Sequence, residues 1–246
     1  MKRMIQSIGT WPRALLTPLV AAVAALAVLS AGQAQQTRPQ DLRPANSDSS
    51  QGVVQCANLI YGQEKSSVCF SDEFLAQIQK DTHVRTNRRF CPVKLQGQEI
   101  YQYPFAVMTG EGAFALTPAQ RTNLRNYLTR GGFLLASAGC SSSEWNASFR
   151  AEMRTVFPEL KLQKLSLSHP IFHTVYDIKQ LNTTHGASAD PNLEGLEIDG
   201  KIVLIYSHEG LNDTANAGPG CCCCGGNEIG NARQINVNLL AYALTH

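Results

Sequence analysis

Segments typical of buried strands alternate with capped helices in the middle of this chain, and this alternation limits the fold more than any other feature. The run Tyr103 to Thr109 is nearly continuous in apolar residues, which is typical of a strand covered on both faces. A helix is predicted after it, because Thr117 is suited to the N-cap and Gln120 completes a capping box. Gly131 provides a left-handed stop, and a second buried strand is predicted over 132–137.

The alternation extends to both sides of this segment. Further helices are predicted over 72–80, from Ser143 or Asn146 to a point before Pro158, and over 232–244. Further strands are predicted over 53–61, 91–95, 196–198 and 201–206, the last two joined by an Asp199-Gly200 hairpin turn. Strands and helices that alternate over short connections predict right-handed crossovers and a mostly parallel sheet. The predicted fold class is therefore α/β.

Polar and small residues follow three of the predicted core strands. In a parallel sheet, ligands bind beyond the carboxyl ends of the strands. Gly110, Glu111 and Gly112 follow one strand, Cys140 follows the next, and His208 with Glu209 follows the last. We therefore expect these groups at one edge of the sheet, with Gly110, Glu111 and Gly112 as ligand-binding residues.

Cys140 has the setting of a catalytic nucleophile. It lies between a strand and a helix, with the small residues Ala138 and Ser142 two positions before and after it, as a sharp nucleophile turn requires. A helix N-terminus nearby favours the thiolate. His208 is the candidate base and Glu209 the candidate residue to orient it. Small residues at strand ends are also common without any catalysis, so a structural interpretation stays open.

Four consecutive cysteines, Cys221, Cys222, Cys223 and Cys224, lie in a glycine-rich segment. Three interpretations are open. Structural disulfides to distant partners, such as Cys140, avoid the strained ring that adjacent cysteines form. A thiolate metal site built from Cys140 and the four consecutive cysteines would select Zn, Cu(I) or an iron–sulfur cluster. Redox exchange is the third, because exposed or strained disulfides are the labile ones.

The N-terminus has the pattern of an export signal. Lys2, Arg3 and Arg13 precede an apolar stretch over 14–29, and Gly32-Gln33-Ala34 supplies small residues at a cleavage site. An uncleaved membrane anchor is the competing interpretation. We predict a signal peptide over 1–34, a flexible linker over 35–51 and one domain over 52–246, in a periplasmic or secreted protein.

The mature chain carries little net charge. Cleavage after Ala34 leaves 212 residues and removes three of the 21 basic residues and none of the 19 acidic ones, so the net charge becomes 18 minus 19, or −1. A nucleic-acid-binding surface requires a strongly basic patch, which this composition disfavours. We expect no nucleic-acid partner and no membrane contact after cleavage. The expected partner is a protein or a small-molecule ligand.

Several segments in fixed order resemble an uncharacterised bacterial family. They are YPFAVMTGEGAFALTPAQRTNLRNYLTRGGFLLA, SFRAEMRTVFPEL, LSHPIFHTVYDI and INVNLLAYALTH, and the resemblance covers roughly 54–246. The family is the domain-of-unknown-function family numbered 4159. The resemblance implies the flavodoxin-like three-layer sandwich of class I glutamine amidotransferases, and it implies no activity. It also places Cys140 near the position of the amidotransferase nucleophile.

Three functional hypotheses follow. The first is a non-catalytic exported module that binds a ligand or partner at the carboxyl edge of its sheet, with a cysteine-rich loop held by disulfides or metal. The second is a thiol-dependent hydrolase or acyl-transfer enzyme that uses Cys140 with His208 and Glu209. The third is a metal-binding protein that uses Cys140 and the cysteines from Cys221 to Cys224.

Overall fold

A computed structural model describes residues 52–63, 69–184, 190–217, 221 and 228–246, and all of them belong to one compact unit, Leu42–His246. The predicted signal peptide over 1–34, the predicted linker over 35–51 and the cysteines Cys222, Cys223 and Cys224 lie outside the described residues. Within the part of the chain that is described, no helix is both long enough and apolar enough to cross a membrane.

The described residues contain nine strands and four α-helices in alternation. The strands are β1 Val53–Val54, β2 Cys56–Ile60, β3 Arg85–Thr86, β4 Cys91–Lys94, β5 Phe105–Gly110, β6 Phe133–Ala138, β7 Gln163–Lys164, β8 Leu193–Ile198 and β9 Lys201–Ser207. The helices are α1 Glu73–Asp81, α2 Pro118–Thr129, α3 Ser143–Val156 and α4 Ala232–Thr245. A short 3-10 turn, Gly139–Ser141, connects β6 to α3.

The main sheet has the strand order β4-β2-β5-β6-β9-β8-β7 among the described residues. The pairs from β4 to β9 are parallel, while β8 and β7 are antiparallel additions at one side. Numbered in chain order, the five parallel strands read 2-1-3-4-5, which is the order of flavodoxin-like sheets. The order reverses between β2 and β5, so the topological switch point lies at the carboxyl ends of these two strands.

Helices cover both faces of the sheet and give a three-layer α/β sandwich, which confirms the predicted class. Phe74 of α1 and Leu239 of α4 belong to one buried cluster, together with Phe105 of β5. Leu124 of α2 and Phe149 of α3 belong to a second cluster on the opposite face. Because β5 and β6 are covered on both sides, nearly every residue in them is buried, as their continuous apolar sequences predict.

The predicted helix cap, helix stop and hairpin turn, which each depend on residues close together in the sequence, are confirmed. Thr117 and Gln120 form the complete capping box of α2, and Gly131 beyond its C-terminus has φ +94°. The β8–β9 hairpin turns at Asp199 and Gly200, which both have positive φ, as a two-residue hairpin turn requires.

The strand predicted over 53–61 is divided in the structure. Val53–Val54 pairs with β3 in a separate two-stranded sheet, and β2 begins at Cys56 in the main sheet. The hydrogen-bonding partner changes at Gln55, because the backbone of Val54 accepts a bond from Asn87 N at 2.8 Å instead of continuing alongside β5. The apolar pattern of one strand does not show where its hydrogen-bonding partner changes, so the sequence predicts a single strand here.

Candidate functional site

The side chain of Asn212, which lies beyond the end of β9, connects several loops at the carboxyl edge of the sheet. It is fully buried. Its Nδ2 donates to the carbonyl of Cys69 at 2.7 Å and to Thr109 Oγ1 at 2.9 Å, and its Oδ1 accepts from Ser137 Oγ. The hydroxyl of Ser137 in turn accepts from Leu211 N at 2.7 Å. One amide therefore fixes the ends of β5 and β6 and the segment before α1 in relation to one another.

A second buried contact joins the ends of β2 and β5 to α3. The hydroxyl of Tyr61 donates to the carbonyl of Thr109 at 2.9 Å and accepts from Trp145 Nε1 at 2.6 Å. Burial raises the pKa of Tyr61 to about 12, so this hydroxyl keeps its proton at neutral pH. A methyl group at Gly110 would lie 2.5 Å from that hydroxyl and 3.1 Å from Trp145 Nε1. The absence of a side chain at Gly110 therefore allows the Tyr61–Trp145 contact.

The segment 111–116, called the strap below, crosses the carboxyl edge and is bound to α3 and to Ser142, the residue before it. Alternate backbone N–H groups donate to side chains of that region: Gly112 to Ser142 Oγ at 3.2 Å, Phe114 to Ser148 Oγ at 3.1 Å and Leu116 to Glu152 Oε1 at 3.1 Å. The alternation leaves the side chains of Ala113 and Ala115 exposed. The strap is thus held in one conformation with its outer side chains toward solvent.

An open depression lies beside the strap at the switch point. Its volume is about 270 Å³, and its described lining consists of Gln63, Ala113, Phe114 and Ala115. The ring of Phe114 packs edge-on against Tyr61, with centroids 4.9 Å apart, and lies 5.5 Å from Trp145. The ring of Phe114, the aromatic part of the described lining, therefore packs on a tyrosine that is itself hydrogen-bonded to Thr109 and Trp145.

Cys140 lies on the tight turn between β6 and α3. It has φ 50° and ψ 34°, and Ser141 after it has φ 53°, so two consecutive non-glycine residues are left-handed. The Oγ of Ser141 donates to the carbonyl of Glu209 at 3.0 Å. The Sγ of Cys140 is 3.5 Å from Glu111 Oε1. The predicted convergence of the loops after β5, β6 and β9 is therefore present in the structure.

The described cysteines are of two kinds, disulfide-bonded cysteines and free thiols. Cys69 and Cys221 form a disulfide that links positions 152 residues apart. Cys140 is also disulfide-bonded. Cys56 and Cys91 are free thiols, and burial raises the pKa of Cys56 far above its ordinary value, which keeps that thiol protonated. The predicted disulfide between a distant cysteine and the four consecutive cysteines is present as Cys69–Cys221.

The three predicted catalytic residues lie in adjacent loops but face different surroundings. His208 is exposed, and its ring makes no hydrogen bond to any described residue, whereas the side chain of Glu209 is buried. Because the two residues are consecutive in the chain, their side chains point in different directions. The turn at Cys140 contacts the backbone of Glu209 through Ser141, and the acidic side chain that contacts the Cys140 sulfur is that of Glu111.

The predicted metal ligands are described only in part. In the described ranges, no group of three or more His, Cys, Asp or Glu side chains is placed to hold a metal ion. Cys221 is bonded to Cys69, and Cys222, Cys223 and Cys224 lie outside those ranges. The metal site therefore stays a prediction.

Several residues that build this edge carried no recognisable signal in the sequence. Asn212, Tyr61 and Trp145 act through contacts between residues 48 to 143 positions apart. Cys69 could be recognised as a cysteine, but spacing does not determine which cysteine is its partner. The only signal was position, because Tyr61 and Asn212 each come just after a predicted core strand.

Comparison with known families gives one match. The profile of the family described as Domain of unknown function (DUF4159) matches residues 55–244, which is most of the chain and includes every strand of the main sheet. No curated protein matches the sequence.

Replacing Asn212 by Ala should lower the free energy of unfolding by about 3 kcal/mol, because a buried carbonyl and two buried hydroxyls lose their partner. Urea denaturation of the oxidised protein measures this change. Asn216→Ala is the control, since Asn216 is exposed and its change should stay within about 0.5 kcal/mol. Equal losses in the two variants would show that Asn212 does not fix the loops.

Gly110→Ala should lower the free energy of unfolding by about 2 kcal/mol, because the new methyl group overlaps the Tyr61 hydroxyl. The same substitution in a Tyr61→Phe background should cost less, since that background removes the overlapping oxygen. A double-mutant cycle from denaturation curves measures the difference. An identical cost in both backgrounds contradicts the proposed steric role of Gly110.

Proposed function

The chain belongs to the DUF4159 family, a family of unknown function. We propose that it is an exported, non-catalytic module that binds a ligand or partner protein at the switch point between β2 and β5. The strand order carries this proposal. Ligands of doubly wound sheets bind where the strand order reverses, and here it reverses between β2 and β5. Gly110 is the last residue of β5, and Glu111 and Gly112 follow it directly, which supports their role as ligand-binding residues.

The depression beside the strap supports the same location. It lies at the reversal point, and its described lining includes the exposed side chains of Ala113 and Ala115 and the ring of Phe114, which packs on Tyr61. A surface held in one conformation before binding loses little conformational entropy when it binds. Glu111 is exposed at the same edge and supplies a negative charge beside it.

The state of Cys140 favours binding over catalysis. A sulfur in a disulfide is neither a nucleophile nor a thiolate ligand, and Cys140 is disulfide-bonded. The acyl-transfer role of Cys140 with His208 and Glu209, and the metal role of Cys140 with the consecutive cysteines, both require that this bond first be reduced. Both stay predictions.

Export to an oxidising compartment is part of the proposal. The N-terminal sequence carries the signal pattern, and disulfide-bonded cysteines are typical of exported proteins. In this compartment the disulfide at Cys69 and Cys221 persists. It closes a long loop, which by loop entropy stabilises the folded state by about 5 kcal/mol.

We expect the exported protein to begin at Gln35. Ala34→Tyr should block cleavage, because the position before the cut requires a small residue, whereas Gln33→Tyr should be cleaved normally. Intact-mass spectrometry of the protein from cell fractions measures both outcomes. An exported wild-type chain that keeps residues 1–34 would identify a retained anchor.

Binding at the switch point is tested with a photoreactive amino acid placed at Ala115 or Gln63 in the producing cells. Both positions line the depression, and Lys201 is an equally exposed control at the opposite end of the sheet. We expect a discrete light-dependent adduct at Ala115 and Gln63 and none at Lys201. Mass spectrometry distinguishes a small ligand from a protein.

Two further variants test whether the adduct depends on the depression and whether it depends on Cys140. Ala113→Trp fills the depression and should abolish the adduct at Gln63. Cys140→Ser should leave the adduct in place, because the proposed site needs no thiol. Adducts that are equal at Lys201, or unchanged by Ala113→Trp, would contradict binding at the switch point.

A further inference from the structure

The ring of His169 accepts a hydrogen bond that only its neutral form can make. His169 precedes the 3-10 turn Pro170–Phe172, and the backbone N–H of Ile171 donates to His169 Nδ1 at 3.2 Å. A backbone N–H can only donate, so Nδ1 carries no proton and the proton of the neutral ring lies on Nε2. Protonation of Nδ1 therefore breaks this bond, because a protonated ring nitrogen has no lone pair with which to accept.

The turn that His169 caps places two apolar side chains in the core. Ile171 and Phe172 are buried in the same cluster as Phe74 of α1 and Leu239 of α4. The carbonyl of His169 also accepts from the backbone N–H of Phe172, at 3.0 Å. Loss of the ring contact thus removes one of the two hydrogen bonds by which His169 positions these side chains.

Three titratable residues surround the ring of His169. The centroid of this ring is 6.0 Å from that of Tyr242, and the Tyr242 ring stacks on the His246 ring with centroids 4.1 Å apart. Burial lowers the pKa of His169 below its ordinary value of 6.5, the negative charge of Glu197 raises it, and the positive charge of His246 lowers it further. Glu197 pairs with Ile202 near the start of β9, so this group lies at the amino edge of the sheet.

The second histidine of this segment has the opposite hydrogen-bonding pattern. Nε2 of His173 is 2.7 Å from the carbonyl of Leu167, and its Nδ1 is 2.6 Å from Asp177 Oδ1. Both partners are acceptors, so a protonated ring can donate to both of them and a neutral ring to one. Lys179 and His173 hold the pKa of Asp177 below its ordinary value, so its carboxylate stays charged at mildly acidic pH. Mild acid therefore preserves the contacts of His173 while it breaks the contact of His169.

The residues after His173 are held by a side chain that does not titrate. Oδ1 of Asn238 in α4 accepts from the backbone N–H groups of Val175 and Tyr176 at 3.0 and 2.8 Å. Its Nδ2 donates to the carbonyl of Tyr176 at 2.8 Å. A carboxamide neither gains nor loses a proton in this pH range, so acid acts on the turn before His173 and not on the residues beyond it.

We propose that His169 is a pH-sensitive cap, which holds the turn 170–172 in place when its ring is neutral and releases the turn when the ring is protonated. Histidine is the residue whose charge changes in the pH range of most biological switches. The inference goes beyond the binding proposed at the switch point and does not depend on it. The cap lies at the amino edge of the sheet, and the switch point lies at the carboxyl edge.

The direction of the pH dependence follows from the lowered pKa of His169. The unfolded chain binds a proton at His169 more readily than the folded chain, so stability rises with pH in this range. The contribution of the cap is complete above pH 6.5, the ordinary value, and is lost as the pH falls through the lower pKa of the folded state.

The first test is an NMR titration of the folded mature protein from about pH 7.5 to about pH 4.5. The His169 ring should carry its proton on Nε2 at neutral pH, and the Ile171 amide signal should change with the same midpoint as the ring. Hydrogen exchange at Ile171, corrected for its intrinsic pH dependence, should become about tenfold faster at the acidic end, whereas exchange at Tyr176 should stay slow. A ring that titrates at pH 6.5 or above, or an Ile171 amide that does not follow the ring, overturns the proposal. Loss of protection at Tyr176 with the same midpoint would show global unfolding and would also overturn it.

A non-titrating cap provides the second test. His169→Asn keeps a side-chain acceptor that is favourable before a helical turn but has no proton to gain. Between pH 7 and about pH 5, its free energy of unfolding should fall less than that of the wild type. His83→Asn is the matched control, because His83 is exposed, and it should keep the wild-type pH dependence. The same pH dependence in all three proteins would contradict the role of His169.

The neighbouring charges provide a third test, in which two variants should act in opposite directions. His246→Gln removes a positive charge and should move the titration midpoint of His169 to higher pH. Glu197→Gln removes a negative charge and should move it to lower pH. Shifts in the same direction, or none in either variant, would contradict the proposed surroundings of the ring. The presence or absence of photoadducts at the switch point bears on none of these three tests.

Discussion

The buried amide of Asn212 is the contact on which the carboxyl edge of this domain depends. Parallel strands end in backbone groups that no neighbouring strand can satisfy, and a buried polar group without a partner is costly. Asn212 provides donors for Cys69 and Thr109 and an acceptor for Ser137, so it satisfies groups from three separate parts of the chain. A side chain with both a donor and an acceptor is required at this point, and no apolar residue could replace it.

The other features of the edge depend on the position that this network imposes. Because the end of β5 is fixed at Thr109, the hydroxyl of Tyr61 can reach its carbonyl and accept from Trp145 at the same time. Gly110 must then lack a side chain. The strap runs along α3 and is held there by hydrogen bonds to the side chains of Ser142, Ser148 and Glu152. The depression at the switch point is therefore a consequence of hydrogen bonding beneath it.

The sequence predicts those parts of this arrangement that depend on near neighbours. The capping box of α2 and the Asp199-Gly200 turn each involve residues at most three positions apart, and both are confirmed. The alternation of elements also predicts the parallel sheet and the meeting of the loops at Glu111, Cys140 and Glu209. The short strand Gln163–Lys164 was missed because both residues are exposed, so no apolar pattern marks it. Asn212 was missed, and the pairing of Cys221 with Cys69 was left undetermined, because their partners are distant in the chain.

Disulfide-bonded cysteines lie at two places on this edge, at Cys69 with Cys221 and at Cys140. Cys69–Cys221 begins at a carbonyl that Asn212 already holds, so its loss would act on the same buried network. Cys140 lies on a turn whose two left-handed residues cost about 1–2 kcal/mol each, so other contacts must hold this turn in place. The buried network can hold the edge without Cys140, because the contacts of Asn212 do not pass through it. The turn at Cys140 therefore has a support of its own, the bond from Ser141 Oγ to the carbonyl of Glu209, which is separate from the contacts that Asn212 makes.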